Sequence, residues 1–350
     1  MDFTVDETQA EIGALTAKVL GDDPAASWRA LADAGLLALA LPTALDGDGL
    51  GVAEVAQVLT EIGRVASPVP AYAALALGVL PVQALGSAAQ RASLLPPVAS
   101  GEALLTAALH EPSAPLCGTP TTTAEVSDAG WVLRGLKTAV PEASRAERIL
   151  TPVSMPGGTG VFLVDPRASG VTLTATRNSS GTPEATMRLD GVFVSESDLL
   201  DGGEATAVLR RFALAGALAW GDGLLAGALD LTVRHVGTRT QFGRPLATFQ
   251  AVAGQIADVY VAARTVHLAV TSAIWRLSAG LDADSELDTA AYWFAAQAPV
   301  ALATCHHLHG GIGVDETYPL HRYSSAVKDL ARTLGGSSHR LGELGRRVAG

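Results

Sequence analysis

A chain of 350 residues with 48% hydrophobic and 17% charged residues can bury one large domain or two to three smaller ones. Its net charge of −11, with no basic stripe, excludes a nucleic-acid groove built on phosphate neutralisation. The start carries Asp2, Asp6 and Glu7, the reverse of a secretory leader. The apolar run from Phe212 to Gly221, bounded by Arg210, Arg211 and Asp222, is shorter than the roughly 20 residues of a bilayer span. A cytoplasmic protein without a membrane partner is the expectation. Cys117 and Cys305 are too few for a disulfide framework and read as structural thiols.

In chain order, Ala- and Leu-rich text predicts helices over 5–20, 25–39, 52–65 and 88–100, separated by Pro and Gly. Near residue 104 the text turns to Thr, Val, Gly and Pro, with strand-like runs at 131–133, 149–152, 160–164, 171–175 and 185–189. After Asp201-Gly202-Gly203, longer helices are expected over 205–236, 246–278, 285–309 and 319–332. In the second of these, Phe249, Val252, Ile256, Val259, Ala263 and Val266 recur at threes and fours, which makes one face apolar throughout. Ser285 before Asp288 has the form of a helix-start cap, and Gly310-Gly311 is a natural stop. The division is thus helical over 1–103, β over 104–200 and a helical bundle over 201–350.

Arg239-Thr240-Gln241-Phe242-Gly243-Arg244-Pro245-Leu246, followed by Phe249-Gln250, places a fixed cation and an amide beside a helix start, where phosphate is well received. An arginine closing its own helix against the dipole is the plainer reading. The segment resembles the R-x-Q-F-G-x-P-I-x-x-F-Q motif of the acyl-CoA dehydrogenase family. His306-His307-Leu308-His309-Gly310-Gly311-Ile312-Gly313 resembles that family's Q-x-x-G-G-x-G turn, with His307 in place of glutamine. The His run has no suitably spaced acid or cysteine, so no metal site is expected. Leu109-His110-Glu111-Pro112-Ser113, Trp131-Val132-Leu133-Arg134-Gly135-Leu136-Lys137 and Leu189-Asp190-Gly191-Val192-Phe193-Val194 resemble its T-E-P, W-x-L-N-G-x-K and closing-strand segments.

The resemblance covers nearly the whole chain. It implies an α+β fold with an N-terminal helical domain, a middle β-barrel-like domain and a C-terminal four-helix bundle. It further implies FAD as cofactor, an acyl-CoA substrate, and cofactor contacts at Arg239, Gln241, Phe242, Leu246, Gln250, His307, Gly310 and Gly311, reaching a flavin held mainly by a neighbouring subunit. The family's flavin-ring side chains are missing, however. His110 stands at the threonine position, Ala114-Pro115-Leu116 in the serine region, and Ala139 and Pro141 at the aromatic and hydroxyl positions.

The family's reaction needs a carboxylate that takes the α-proton while a hydride leaves the β-carbon. One family position for that glutamate falls here on Leu334 or Gly335, and the other, about 29 residues before Phe242, falls on Ala213. Asp222 and Glu316 are the substitute candidates. Asp222 lies about 900° of helical rotation beyond Ala213, on the opposite face, and Glu111 reads as a structural part of its turn. A chain that keeps the cross-interface half of the site and loses the ring and base half resembles one member of the α2β2 acyl-CoA dehydrogenases of steroid side-chain degradation. A self-sufficient homotetramer with a displaced base and a flavin-free scaffold remain the alternatives.

Overall fold

The computed structural model describes residues 3, 5–21, 28–200 and 203–349. The beginning of the helix expected over 25–39, and the Asp201-Gly202 turn, lie outside them. In chain order the helices α1 Glu7–Leu20, α2 Trp28–Asp33 and α3 Val52–Arg64 come first. A wide π-type helical segment Tyr72–Val79 follows, running into α4 Leu80–Leu85, and then α5 Ala88–Ala99. Strands β1 Leu105–Ala107, β2 Thr123–Ser127, β3 Gly130–Pro141, β4 Arg148–Met155, β5 Gly158–Val164, β6 Val171–Arg177, β7 Pro183–Val194 and β8 Leu199–Leu200 come next. After α6 Ala205–Thr238, the short strands β9 Thr240–Gln241 and β10 Arg244–Pro245 precede α7 Gln250–Ser278, α8 Asp284–His309, α9 Leu320–Thr333 and α10 Gly336–Ala349.

The second helix is shorter than its apolar text suggests. Gly35, at φ 78, ends it in a Schellman turn, with Leu36 N–H donating to Leu31 O and Gly35 N–H to Ala32 O. The cap expected at Ser285 is also different. Helix α8 begins one residue earlier without a side-chain cap, and the Asp284 N–H donates to Asp282 Oδ1 at 3.1 Å. Asp288 instead pairs with Arg340 and Arg347 of α10.

The chain divides into two compact units, one of Met1–Ala25, Ala56–Ser67 and Ala217–Gly350, the other of Ala26–Val55 and Pro68–Gly216. In the second unit the strands form a mixed eight-stranded sheet of order β6-β7-β3-β2-β4-β5-β8, with β1 alongside β4. β1 and β2 run parallel to β4, and the other pairs are antiparallel. Leu133, Val140, Ile149, Phe162, Met187 and Val192 fill its core. Register shifts between β3 and β7 at Leu133/Arg134 and at Lys137/Val140 break the simple alternation of β3, so that Trp131, Leu133, Lys137 and Val140 are all buried.

In the first unit α7 packs along α8, and α8 packs against α9 and α10. Backbone approaches backbone where α3 meets α6: a Cβ on Gly63 would strike Trp220 O, one on Gly223 would strike Thr60 O, and one on Gly227 would strike Arg64 O. Asp288, fully buried, accepts from Arg340 Nη1 at 3.2 Å and from Arg347 Nε at 2.6 Å. This network ties α10 to α8. Helix α6 meets the length and composition of a membrane span, with a mean hydropathy of 1.5 over its most apolar window. That window is 78% buried inside the protein, so packing accounts for its apolar character.

Candidate functional site

The arginine segment folds as a two-residue β-hairpin between α6 and α7. Arg244 pairs with Gln241 and Pro245 with Thr240. Phe242 (φ 53) and Gly243 (φ 78) form its tip. Both values are positive, as a type I′ turn requires. Glycine accepts that conformation freely, but for a bulky residue such as Phe242 it is strained. Phe242 is also 90% exposed. Its ring meets Phe249 edge-on at 6.2 Å, and the Arg244 guanidinium stacks 4.1 Å from the centroid of Phe249.

The polar members of this segment are uncommitted. Arg239, Gln241 and Gln250 are exposed, and their side chains make no hydrogen bond or ion pair among the described residues. The Arg239 backbone N–H donates to His235 O at 2.8 Å and its carbonyl accepts from Leu246 N–H at 2.9 Å. Its guanidinium therefore does not close its own helix. Helix α7 starts with no side-chain cap and no acid in its first turn, so its free N–H groups suit a diphosphate. Leu246 opens the 3-10 turn that leads into α7.

The structure brings the glycine turn to the same end of the bundle. His235, one turn before Arg239, stacks on His309, the last residue of α8, with ring centroids 4.4 Å apart. Tyr318 lies against both rings. His309 Nδ1 donates to Cys305 O at 2.8 Å. Burial pushes both imidazoles below the usual histidine value, and the Arg239 charge adds to this at His235. Neutral rings can stack where two cations would repel. Gly310, at φ 63, ends the helix, and His307, Gly310 and Gly311 are exposed.

Asp222 is buried and bonded to His267 Nδ1 at 2.8 Å, which ties α6 to α7. Glu316 is exposed in the loop before α9. Of the positions the resemblance assigns to the base, Ala213 is buried and its carbonyl accepts from Tyr72 Oη at 3.3 Å, and of Leu334 and Gly335 at the other, Leu334 is buried and its carbonyl accepts from Arg340 Nε.

The strand-end segment is organised around Glu111. Its Oε1 accepts from Lys137 Nζ (2.8 Å), Thr122 N (2.9 Å) and Thr122 Oγ1 (2.6 Å), while Oε2 accepts from Thr121 N and Thr121 Oγ1, both at 2.6 Å. Burial alone would raise the carboxyl pKa. The hydrogen bonds from Lys137, Thr121 and Thr122 outweigh it and hold the group down at about 2. Burial draws the Lys137 ammonium down against the pull of Glu111. The dense set of donors on Glu111 assigns the ionised pair as the resident state. Gly135 is required here, because any Cβ would press on the Thr122 side chain. The sequence signal for this cluster was the E-P pair and the G-x-K triplet, but the threonines that complete it carry no motif. His110 is locked into the same loop, its Nδ1 accepting from Leu116 N–H at 3.3 Å.

The acyl-CoA dehydrogenase N-terminal domain model matches residues 5–102 and the C-terminal domain model matches 207–349. The chain belongs to the acyl-CoA dehydrogenase family. Members are FAD-dependent oxidoreductases acting on CH–CH bonds. The chain is 46% identical to acyl-CoA dehydrogenase FadE28 of Mycobacterium tuberculosis, covering 100% of this chain and 99% of that protein. It is 32% identical to FadE27 of the same organism over 92% of this chain and 87% of that one. Among solved structures, one from the ChsE4-ChsE5 complex of M. tuberculosis superposes with a TM-score of 0.93 at 31% identity, covering 100% and 99% of the two chains. A Tcur3481-Tcur3483 steroid acyl-CoA dehydrogenase variant gives 0.91 at 34%, covering 99% of each.

FAD fits this chain in halves. The uncommitted Arg239, Gln241 and Gln250, the uncapped start of α7 and the open Gly310-Gly311 turn suit its diphosphate and adenosine end. At the positions that the resemblance assigns to the flavin ring, Ala139 and Pro141 carry neither an aromatic ring nor a hydroxyl, and His110 Nδ1 accepts from Leu116 N–H within its own loop.

Proposed function

We propose that this chain is the subunit of a heteromeric α2β2 acyl-CoA dehydrogenase that lacks the catalytic base, and that it completes the flavin site of a homologous catalytic subunit. The strained, 90% exposed Phe242 beside an uncommitted Arg239 is the observation that carries the reading. In this arrangement Arg239 and the α7 start bind the diphosphate, Gln241 and Gln250 orient it, and the Phe242 tip seats in the partner and excludes water. FAD, when bound, accepts the hydride from the acyl β-carbon. The partner supplies the carboxylate that removes the α-proton, because Ala213 and Leu334 cannot. The ChsE4-ChsE5 complex and the steroid Tcur3481-Tcur3483 enzyme, as structural neighbours, support a mixed assembly, and the second supports a steroid acyl-CoA as substrate class.

The reading is tested by Arg239→Ala in the co-expressed complex. Assembly survives while flavin retention and dye reduction with acyl-CoA fall. An unchanged flavin content in an intact mixed complex would instead favour a flavin-free scaffold.

A further inference from the structure

Two polar side chains on one face of α6 in the second unit have buried atoms with no hydrogen-bond partner among the described residues. Arg210 is half-buried, and its Nε is sealed from solvent without a hydrogen-bond partner. Thr206, one turn earlier and therefore on the same face, is 2% exposed, and its Oγ1 is likewise unpartnered. A helical threonine ordinarily returns its hydroxyl to the preceding turn, as Thr232 does to Ala228 O at 2.7 Å. Thr206 does not.

The neighbouring charges leave Arg210 unbalanced. Arg211, the next residue, points its charge to Glu204 at 3.6 Å. Glu111 is committed to Lys137 and two threonines. Against Arg210 lies the Cys117–Gly118–Thr119 loop, with Arg210 Nη1 3.4 Å from where a Gly118 Cβ would stand. The Cys117 Sγ–H donates to Thr119 O at 2.9 Å, and burial pushes the thiol up, with the Glu111 charge adding to it, so the thiol stays neutral. A guanidinium nitrogen sealed from water without a partner is costly, and the buried Thr206 hydroxyl one turn away adds a second unmet group. Both are relieved by a ligand that brings negative oxygens.

We propose that Arg210, Thr206 and the Cys117–Gly118–Thr119 loop form an oxyanion site that takes a phosphate or carboxylate group of a bound ligand. The guanidinium fork engages two oxygens of the anion and the Thr206 hydroxyl donates to one. Gly118 keeps the loop side open for the anion's approach. Ala213, one turn further along α6, lies on the same face. The anion is therefore bound beside the position where the family carries its base. The site is independent of the subunit role proposed above and stands whether or not this chain joins a homologue.

The test is calorimetric titration of the purified full-length chain with inorganic phosphate, coenzyme A and glutarate, each against chloride at matched ionic strength. Saturable binding is expected, weakened about tenfold or more in Arg210→Gln, in line with the loss of charge-assisted hydrogen bonds. Arg210→Lys, which keeps the charge without the fork, falls between. Thr206→Val removes a buried hydroxyl at nearly constant shape, so it folds and still binds more weakly. It decides the matter if Arg210→Gln does not fold. Binding by phosphate and coenzyme A alone identifies the nucleotide end of a thioester as the source of the anion, and binding by glutarate alone identifies an acidic acyl chain. Absence of saturable binding by all three probes, or equal binding by wild type, Arg210→Gln and Thr206→Val, overturns the proposal.

Discussion

Replacing Lys137 by Met leaves the Glu111 carboxylate buried without its cation while keeping the threonine donors. The side chains of the pair are 0% and 1% exposed, so solvent screening is slight. Glu111 is lowered from an ordinary 4.5 to about 2, a drop that converts to about 3 kcal/mol at roughly 1.36 kcal/mol for each pH unit. Breaking a buried pair from one side costs about 3–5 kcal/mol. With Thr121 and Thr122 still donating, the lower end of that range is expected. The sign follows from the lowered pKa: the contribution is complete above pH 4.5 and is lost as pH falls toward about 2. Lys137→Met has already lost much of it, since its Glu111 titrates higher in the folded state. Urea unfolding of wild type and variant should therefore differ by about 3 kcal/mol at pH 7, and the gap should narrow below pH 4.5. A gap under about 1 kcal/mol at pH 7, or one that stays constant down to pH 3, would refute the assignment of an ionised pair.

Other expectations follow from close packing and from exposure. Gly223→Ala forces α6 away from the Thr60 carbonyl of α3 and should cost about 1–3 kcal/mol in denaturant unfolding; a neutral effect would show that the helices separate freely. Asp288→Ala leaves Arg340 fully buried with its carboxylate gone. A loss of about 3–5 kcal/mol is expected, with faster amide exchange in α10 than in α7. Equal exchange would contradict the tie between α10 and α8. Phe242→Ser should change the stability of the isolated chain by no more than about 0.5 kcal/mol, because the ring is 90% exposed. In the co-expressed complex it should lower the yield of mixed assembly, and an undiminished yield would remove the tip from the interface.

The helical ends were legible because Ala, Leu and Gly mark helices and their stops; of the apolar face read from the spacing of α7, Val259, Ala263 and Val266 are buried, while Phe249, Val252 and Ile256 are half-buried. The Tyr72–Val79 segment carried no such signal. It is buried nearly all round, so it has no periodicity to detect. Helix α10 was hidden behind Gly335-Gly336-Ser337-Ser338, which reads as a loop. Its anchors, Arg340 and Arg347 on Asp288, are distant in sequence. Strand β3 looked three residues long because register shifts broke its alternation. The residues of the hairpin share one motif in the sequence. The Glu111 cluster and the His235–His309 stack join residues that no local pattern links.

The account turns on where the flavin is held. The decisive measurement is flavin content per chain, first with this protein purified alone and then co-expressed with an acyl-CoA dehydrogenase homologue from the same genome. A subunit that completes its partner's site predicts little flavin alone and a stable mixed complex with about one flavin for each pair of unlike chains, since only the partner holds the flavin ring. Near-stoichiometric flavin in the chain alone, with dye reduction by an acyl-CoA, would contradict it and make this chain a complete enzyme with its base elsewhere.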